Sequence, residues 1–342
     1  MRIVLIGAGA IGGSLAACMA KKGYDLTIVA KYEDYATLIE KDGIEITGVK
    51  GNFTQKIKAV ATVSELTGMY DMVFVATKAY DVKENLIVLL PHLKETTSVV
   101  SLQNGICTDL YQEMVSVSRT VGCVVGYGAT MHQKGKIEIT STGTFVIGAI
   151  NKEFKGDLKA VQECLESAFE TTIVDDIYAH LYSKLIINSC ITSLGALTGL
   201  TLGEMMKFKK IRTIFLQIIQ EAIAVANACS IQVPPYGGKL DYYKLYQRTS
   251  KFGLWINHLI IKIVGKKYRH LKSSSLQSLQ RGQKTEIDYF NGYIASLGKQ
   301  VQVPTPLNTT LVEMIKEIEL HQREISLKNI DEIQIKKEGT KQ

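Results

Sequence analysis

Two groups of residues in this chain combine types and spacings that could do chemistry. The first is Gly7-Ala8-Gly9-Ala10-Ile11-Gly12-Gly13, close to the N-terminus. The apolar run Ile3 to Ile6 precedes it, and an apolar, helix-like run from Ser14 to Ala20 follows. Strand, glycine turn and helix in that order suit a dinucleotide. Gly7 permits the tight turn, Gly9 lets the backbone approach a pyrophosphate, and Gly12 lets the helix pack near the strand. The exposed N–H groups at the helix start would then face the phosphate anion. A glycine-rich turn with no ligand is the plain alternative. A second apolar run, Leu26 to Ala30, stands where the next parallel strand is due and favours the dinucleotide reading.

The second group is Lys184 with Asn188, four residues apart on one helix face and surrounded by Leu181, Leu185, Ile186 and Ile187. A lysine there either snorkels to solvent or is held in a site, and spacing alone leaves both open. Further on, Ser273-Ser274 and Thr285-Glu286-Ile287-Asp288 bring polar side chains into a helical frame. Taken alone, Glu286 and Asp288 read as an acid pair serving a helix dipole.

The elements that must position these groups are legible in outline. The strand ending near Ala30 bears on the cofactor. An NAD site usually has an acid about 20 residues after the glycines, to bind the ribose hydroxyls. Here Lys31 holds that place and the acids Glu33 and Asp34 come late, which favours the 2′-phosphate of NADPH over a plain solvated lysine. Residues 43–60 alternate in strand fashion. Asp71 to Ala76 is a continuous apolar run suited to a buried parallel strand, followed by Lys78. A helix-like segment stops at Pro91, and the strand Ser98 to Leu102 leads into Asn104-Gly105. Ligands of open parallel sheets sit at the carboxyl ends of strands, so Lys78 and Asn104 belong with Gly7–Gly12. Residues 120–150 carry short strand-like pieces, read as antiparallel additions to the same sheet. After Asp176 the texture turns helical, over 177–197, 211–230, 276–297 and 309–325, and the charged tail reads as frayed.

The expected fold class is therefore α/β, a Rossmann-type NADP-binding domain at 1–175 followed by an all-helical domain at 176–330, with a frayed tail at 331–342. With 342 residues, 46% hydrophobic and 21% charged, a soluble protein of two domains is the expectation. No run of about 18 apolar residues suggests a membrane span, and the N-terminus does not read as a signal peptide. A cytoplasmic protein is expected. Six cysteines without a CxxC pair read as buried thiols, and six histidines without a ligand-spaced pair give no metal site. No nucleic-acid partner is expected.

Together these pieces resemble the ketopantoate reductase family (2-dehydropantoate 2-reductases), over about residues 1–330. The resemblance rests on the early Gly7 to Gly13, the Lys78 loop, Leu102-Gln103-Asn104-Gly105, the Lys184/Asn188 helix, and Ser273-Ser274 leading to Thr285-Glu286-Ile287-Asp288. It implies an NADPH-dependent reduction of 2-dehydropantoate to pantoate, in a cleft between the two domains. It implies that Lys184 is the general acid and that Asn188, Ser274 and Glu286 bind substrate. It implies that Gly7, Ala8, Gly9, Ala10, Ile11, Gly12 and Lys78 bind the cofactor, joined by Lys31 as read above from its position. Asn104 would serve both cofactor and substrate, close to the nicotinamide. Tyr182, Thr192, Ser275 and Ser278 depart from the family's usual Trp, Asn, Met and Asp. The alternatives are a reductase of another small 2-keto acid, or a non-catalytic NADP(H)-binding regulator.

One segment stands apart from that resemblance. Residues 239–272 hold nine Lys or Arg against one acid, Asp241, within a chain of net charge +7. Lid, homodimer contact, membrane-surface helix and solvated basic insertion are all open readings. The apolar stripe of Trp255, Ile256, Leu259, Ile260, Ile261, Ile263 and Val264 is expected to bury itself against the protein or a second subunit.

Overall fold

The computed structural model describes residues 1–335. The chain divides into two compact units, Met1–Leu181 and Tyr182–Gln342.

The first unit runs β1 (Ile3–Ile6), α1 (Ala10–Lys21), β2 (Leu26–Val29), α2 (Glu33–Lys41), β3 (Ile44–Gly48), β4 (Phe53–Gln55), β5 (Lys58–Val60), β6 (Tyr70–Val75), α3 (Val82–Leu89), β7 (Leu93–Ser101), α4 (Thr108–Val115), β8 (Thr120–Val125), β9 (Gly128–Gln133), β10 (Lys136–Ser141), β11 (Phe145–Ala149), α5 (Leu158–Leu165) and β12 (Thr171–Ile173). Eight strands form the main sheet in the order β12-β11-β8-β7-β6-β1-β2-β5. Every pairing in it is parallel except β11 with β8. β1 and β2 are buried along their whole length, as strands covered on both faces must be. From β1 the chain winds first towards β2 and later returns to β6 on the other side, so a switch point opens beside β1.

A second sheet of four strands, β4-β3-β10-β9, takes up the other strand-like pieces. This corrects the expectation for residues 120–150. β8 is parallel to β7, β11 alone joins the main sheet antiparallel, and β10 pairs with β3 instead, with β9 antiparallel to β10 at the edge of the small sheet. Alternation by two fixes a strand but not its partner. The second sheet explains why α1 is apolar on more than one side. A Cβ on Gly12 would meet Gly7 O at 2.0 Å and Leu5 Cδ2 at 2.9 Å, whereas one on Gly13 would meet Ile137 Cδ1 at 2.6 Å. Consecutive glycines thus admit β1 on one side of α1 and the small sheet on the other.

The second unit is helical: α6 (Ile177–Thr198, most of whose length lies in it), α7 (Leu202–Met205), α8 (Lys209–Ala228), α9 (Tyr242–Gln247), α10 (Lys251–Lys267), α11 (Ser274–Gln280), α12 (Asn291–Gln300), α13 (Pro306–Glu319) and α14 (Asn329–Glu332). The buried carboxylate of Glu221 on α8 accepts from Leu307 N at 2.9 Å and Asn308 N at 3.0 Å, closing the start of α13 behind Pro306. The fold class is the expected one, α/β followed by all-helical.

Three expectations are corrected here. Residues 276–297 are not one helix. Gly282 turns left-handed at φ +66 and Gln283 N donates back to Ser278 O at 2.9 Å, which ends α11. The start of the expected frayed tail is folded. Ile330 and Ile333 are buried, and Arg323 fixes the segment through Asn329 Oδ1 at 2.9 Å and both carboxylate oxygens of Glu332 at 2.9 Å. Residues 336–342 lie outside the described ones. Finally, Trp255 is 59% exposed. α10 buries Gly253, Asn257, Ile261 and Gly265 instead, a row four residues apart whose two glycines admit close neighbours at each end. A Cβ on Gly265 would stand 2.2 Å from Met206 Cγ.

Candidate active site

In the first unit the candidate residues gather at the carboxyl ends of four neighbouring strands. β1 ends at Ile6, and Gly7 turns with φ +106, so close to Thr77 that a Cβ would lie 2.8 Å from its N. Gly9 caps α1 through backbone alone, with no side-chain cap and no acid in the first turn. The helix therefore leaves its first N–H groups without a capping side chain or an acid of its own first turn. A Cβ on Gly9 would meet nothing within 4 Å, so the space over the turn is open. Ala8 is buried, and Ala10 and Ile11 are half-buried.

Two tyrosines that spacing did not single out hold this turn. Tyr35 O–H donates to Ala8 O at 3.0 Å, and Tyr127 O–H donates to Ile11 O at 3.1 Å and lies 2.9 Å from Ser14 Oγ. Burial pushes both phenols up, so both remain donors. Gln103 does the same for the next strand ends. It donates to Val75 O at 3.0 Å and accepts from Ser101 at 2.7 Å and Tyr111 at 2.9 Å. That network joins the end of β6, which leads to Lys78, to the end of β7, which leads to Asn104. Lys78 and Asn104 are both half-buried. Lys31 follows β2 in a left-handed conformation, φ 75, and pairs with Asp81 at 3.1 Å.

In the second unit, α6 presents Lys184, Asn188 and Thr192 at successive i+4 positions; the first two are half-buried and the third is buried. Tyr182 O–H donates to Ala222 O at 2.9 Å, and Ser183 Oγ to Pro234 O at 2.8 Å, which fixes the turn that carries Lys184. Tyr242 O–H donates to Ser183 O at 2.9 Å. Ser274 opens α11, whose cap Ser273 accepts from Leu276 N at 3.1 Å and donates to Thr192 O at 3.5 Å. Gly195 makes that approach possible, since a Cβ there would lie 2.6 Å from Ser273 Oγ. The face of α6 that bears Lys184 and Asn188 thus continues to the start of α11. Glu286 is 6% exposed and begins the short 3-10 helix Ile287–Tyr289. Ile287 packs with Ala196 of α6 and Ile315 of α13, and Thr285 N donates to Glu319 Oε1 at 2.6 Å. The hydroxyls of Thr192 and Ser275 are buried with no hydrogen-bond partner among the described residues.

Comparison with known proteins covers most of the chain. Residues 3–152 match the family model for ketopantoate reductase PanE/ApbA, and residues 176–319 match that for its C-terminal part. The 2-dehydropantoate 2-reductase of Pyrococcus abyssi is 27% identical over 320 residues, 92% of this chain and 97% of that one. That of Aquifex aeolicus is 27% identical over 333 residues, 94% of this chain and 97% of that one. Among solved structures, a ternary complex of D-mandelate dehydrogenase with NADH and anilino(oxo)acetate superposes with a TM-score of 0.80 at 21% identity, covering 94% of this chain and 99% of that one. A ketopantoate reductase from Ralstonia eutropha gives 0.80 at 23%, with the same coverage. At those identities the two structures establish the fold. The family models, matched in both halves of the sequence, establish more: the chain belongs to the ketopantoate reductase family.

Proposed function

We propose that this protein reduces 2-dehydropantoate (ketopantoate) to pantoate with NADPH, in the cytoplasm. The observation that carries the reading is the Lys184–Asn188 face of α6, in a chain whose relatives of that name match more than nine-tenths of it. The first unit fits the cofactor: an uncapped helix start without acids, open space over Gly9, and Lys31 where a 2′-phosphate would lie. Gly7, Ala8, Gly9, Ala10, Ile11 and Gly12 would hold the pyrophosphate, with Lys78 and Asn104 completing the cofactor site. When bound, NADPH supplies the hydride.

The remaining chemistry belongs to side chains. A ketone carbon that accepts hydride leaves negative charge on its oxygen. A lysine ammonium, charged at neutral pH, stabilises that charge and donates the proton that completes the hydroxyl. Lys184 takes this part. Asn188 and Ser274 hydrogen-bond the substrate, and Glu286 accepts from its hydroxyls. Asp81 beside Lys31 is a competitor for the 2′-phosphate, since the ion pair must open before the lysine can serve it.

A second reading keeps the chemistry and changes the substrate to another small 2-keto acid. It is favoured by the unpartnered hydroxyls of Thr192 and Ser275. NADPH and NADH oxidation, followed by absorbance over a panel of 2-keto acids, separates these readings. Ketopantoate with NADPH is expected to give the highest kcat/KM. A different 2-keto acid in first place selects the second reading. NADPH binding without turnover of any panel member overturns both and leaves a non-catalytic regulator.

A further inference from the structure

α10 is two-sided, and only one side is used by the fold. Gly253, Asn257, Ile261 and Gly265 pack inward, and Asn257 Nδ2 donates to Leu245 O at 2.9 Å. On the outward side Phe252, Trp255, Leu259 and Ile263 form an exposed apolar seam at i, i+3, i+7 and i+11. Phe252 is 72% exposed, and its ring stacks on Trp255 at 5.9 Å. At about 100° per residue, Lys251 and Lys262 fall on one flank of the seam, Lys267 on the other, and Lys266 at its end. From Tyr242 to Thr285 the chain has ten Lys or Arg and no Asp or Glu.

A groove of about 940 Å³ runs beside the seam, lined by Lys209, Arg212, Lys251, Trp255, His258 and Lys262 among others. Arg212 donates to Met206 O at 2.6 Å and Lys207 O at 3.0 Å, and among the described residues no carboxylate pairs with its cation. Its Nε is buried without an acceptor among the described residues. A guanidinium so placed is a seat for a phosphate.

We propose that α10 docks this protein on the surface of an anionic phospholipid bilayer. The seam enters the headgroup–acyl boundary, the flanking lysines meet anionic headgroups, and one phosphate enters the Arg212 groove. Among the described residues no helix is long and apolar enough to cross a membrane, so α10 lies on the surface. Charge selects this occupant. An isologous contact with a second copy would set the lysines of one α10 against those of the other. An aromatic and aliphatic seam with Lys251 and Lys262 on one flank and Lys267 on the other matches the polarity profile of a bilayer surface. The inference is independent of the reaction proposed above.

Trp255 is the chain's one tryptophan and reports on the seam directly. The full-length protein is titrated with phosphatidylcholine vesicles, with and without phosphatidylglycerol, and followed by emission and co-sedimentation. The free protein should show a water-exposed spectrum. A blue shift and co-sedimentation should appear with phosphatidylglycerol only, and high salt should weaken both. Leu259→Asp lies on the exposed seam, so the fold should survive; it should lower partitioning at least ten-fold with solution turnover unchanged. The double variant Lys251→Glu/Lys262→Glu should do likewise. Three outcomes overturn the proposal. One is no response to anionic vesicles. Another is a blue-shifted free protein whose dimer is lost in Leu259→Asp, which assigns the seam to a second copy. The third is the same emission shift with inorganic phosphate alone, which makes the groove a soluble-phosphate site.

Discussion

Gly9 and Gly12 share a motif but answer to different demands, and substitution separates them. Gly12 is held by the fold, since its Cβ would collide with the Gly7 carbonyl. Gly12→Ala should cost about 3 kcal/mol of stability, seen as a lowered thermal midpoint with or without cofactor. Gly9 has ordinary backbone angles, φ −72 and ψ −170, and open space around it. Gly9→Ala should therefore shift the ligand-free stability by less than about 0.5 kcal/mol. It should still weaken NADPH binding roughly ten-fold or more, about 1.4 kcal/mol, because the methyl enters the pyrophosphate's space. An unchanged titration would show that no phosphate rests there. Lys184→Ala should lower kcat by roughly 10² and leave NADPH affinity within a few-fold, the pattern of a group used in the transition state. The glycine turn was legible in the sequence because backbone geometry demands glycine at fixed offsets, whereas helix spacing put Lys184 and Asn188 on one face and left their role open. Tyr35, Tyr127 and Gln103 were not. Each gains its role from a partner tens of residues away, and no local pattern marks it.

At the scale of elements, the parallel strands and long helices could be read from periodicity, and the errors came where tertiary partners decide. The mixed small sheet, the break at Gly282 and the folded segment after α13 are three such places. Arg323 is the clearest case. Its guanidinium donates hydrogen bonds to the Glu332 and Glu317 carboxylates, which hold its cation firmly, and in return it keeps the Glu332 carboxyl below the usual carboxylate range. A depressed carboxylate adds stability above its unfolded pKa and loses it as pH falls through the folded value. The hold on α14 should thus be complete at neutral pH and weaken below about pH 4. Arg323→Ala should release it at neutral pH. Amide exchange at Ile330 and Ile333 should rise roughly five- to thirty-fold, equivalent to about 1–2 kcal/mol. Unchanged protection would mean that the buried isoleucines suffice without the arginine.

Across the whole molecule, charge was legible as a sum and also as a place, because the acid-free stretch is visible in the sequence. Its orientation was not. The expectation that Trp255 would be buried weighed the bulk of the apolar side chains, whereas the helix turned the row Gly253, Asn257, Ile261 and Gly265 inward.

The thiols add a kinetic dimension to the fold. Cys18, Cys107, Cys123 and Cys164 are buried in the first unit and Cys190 in the second, while Cys229 is partly exposed. Burial raises the thiols of Cys18 and Cys190 and takes Cys164 to about 12, so thiolate at these sites is scarce even when reagent is plentiful. Modification of the buried five must then wait for the surrounding structure to open, and each becomes a clock for its own unit. With a disulfide reagent under native conditions, mass spectrometry should find Cys229 modified first and the others far later. Saturating NADPH should slow Cys18, on the helix that starts at the glycine turn, more than Cys190. Equal slowing at both positions would show that the two units open as one.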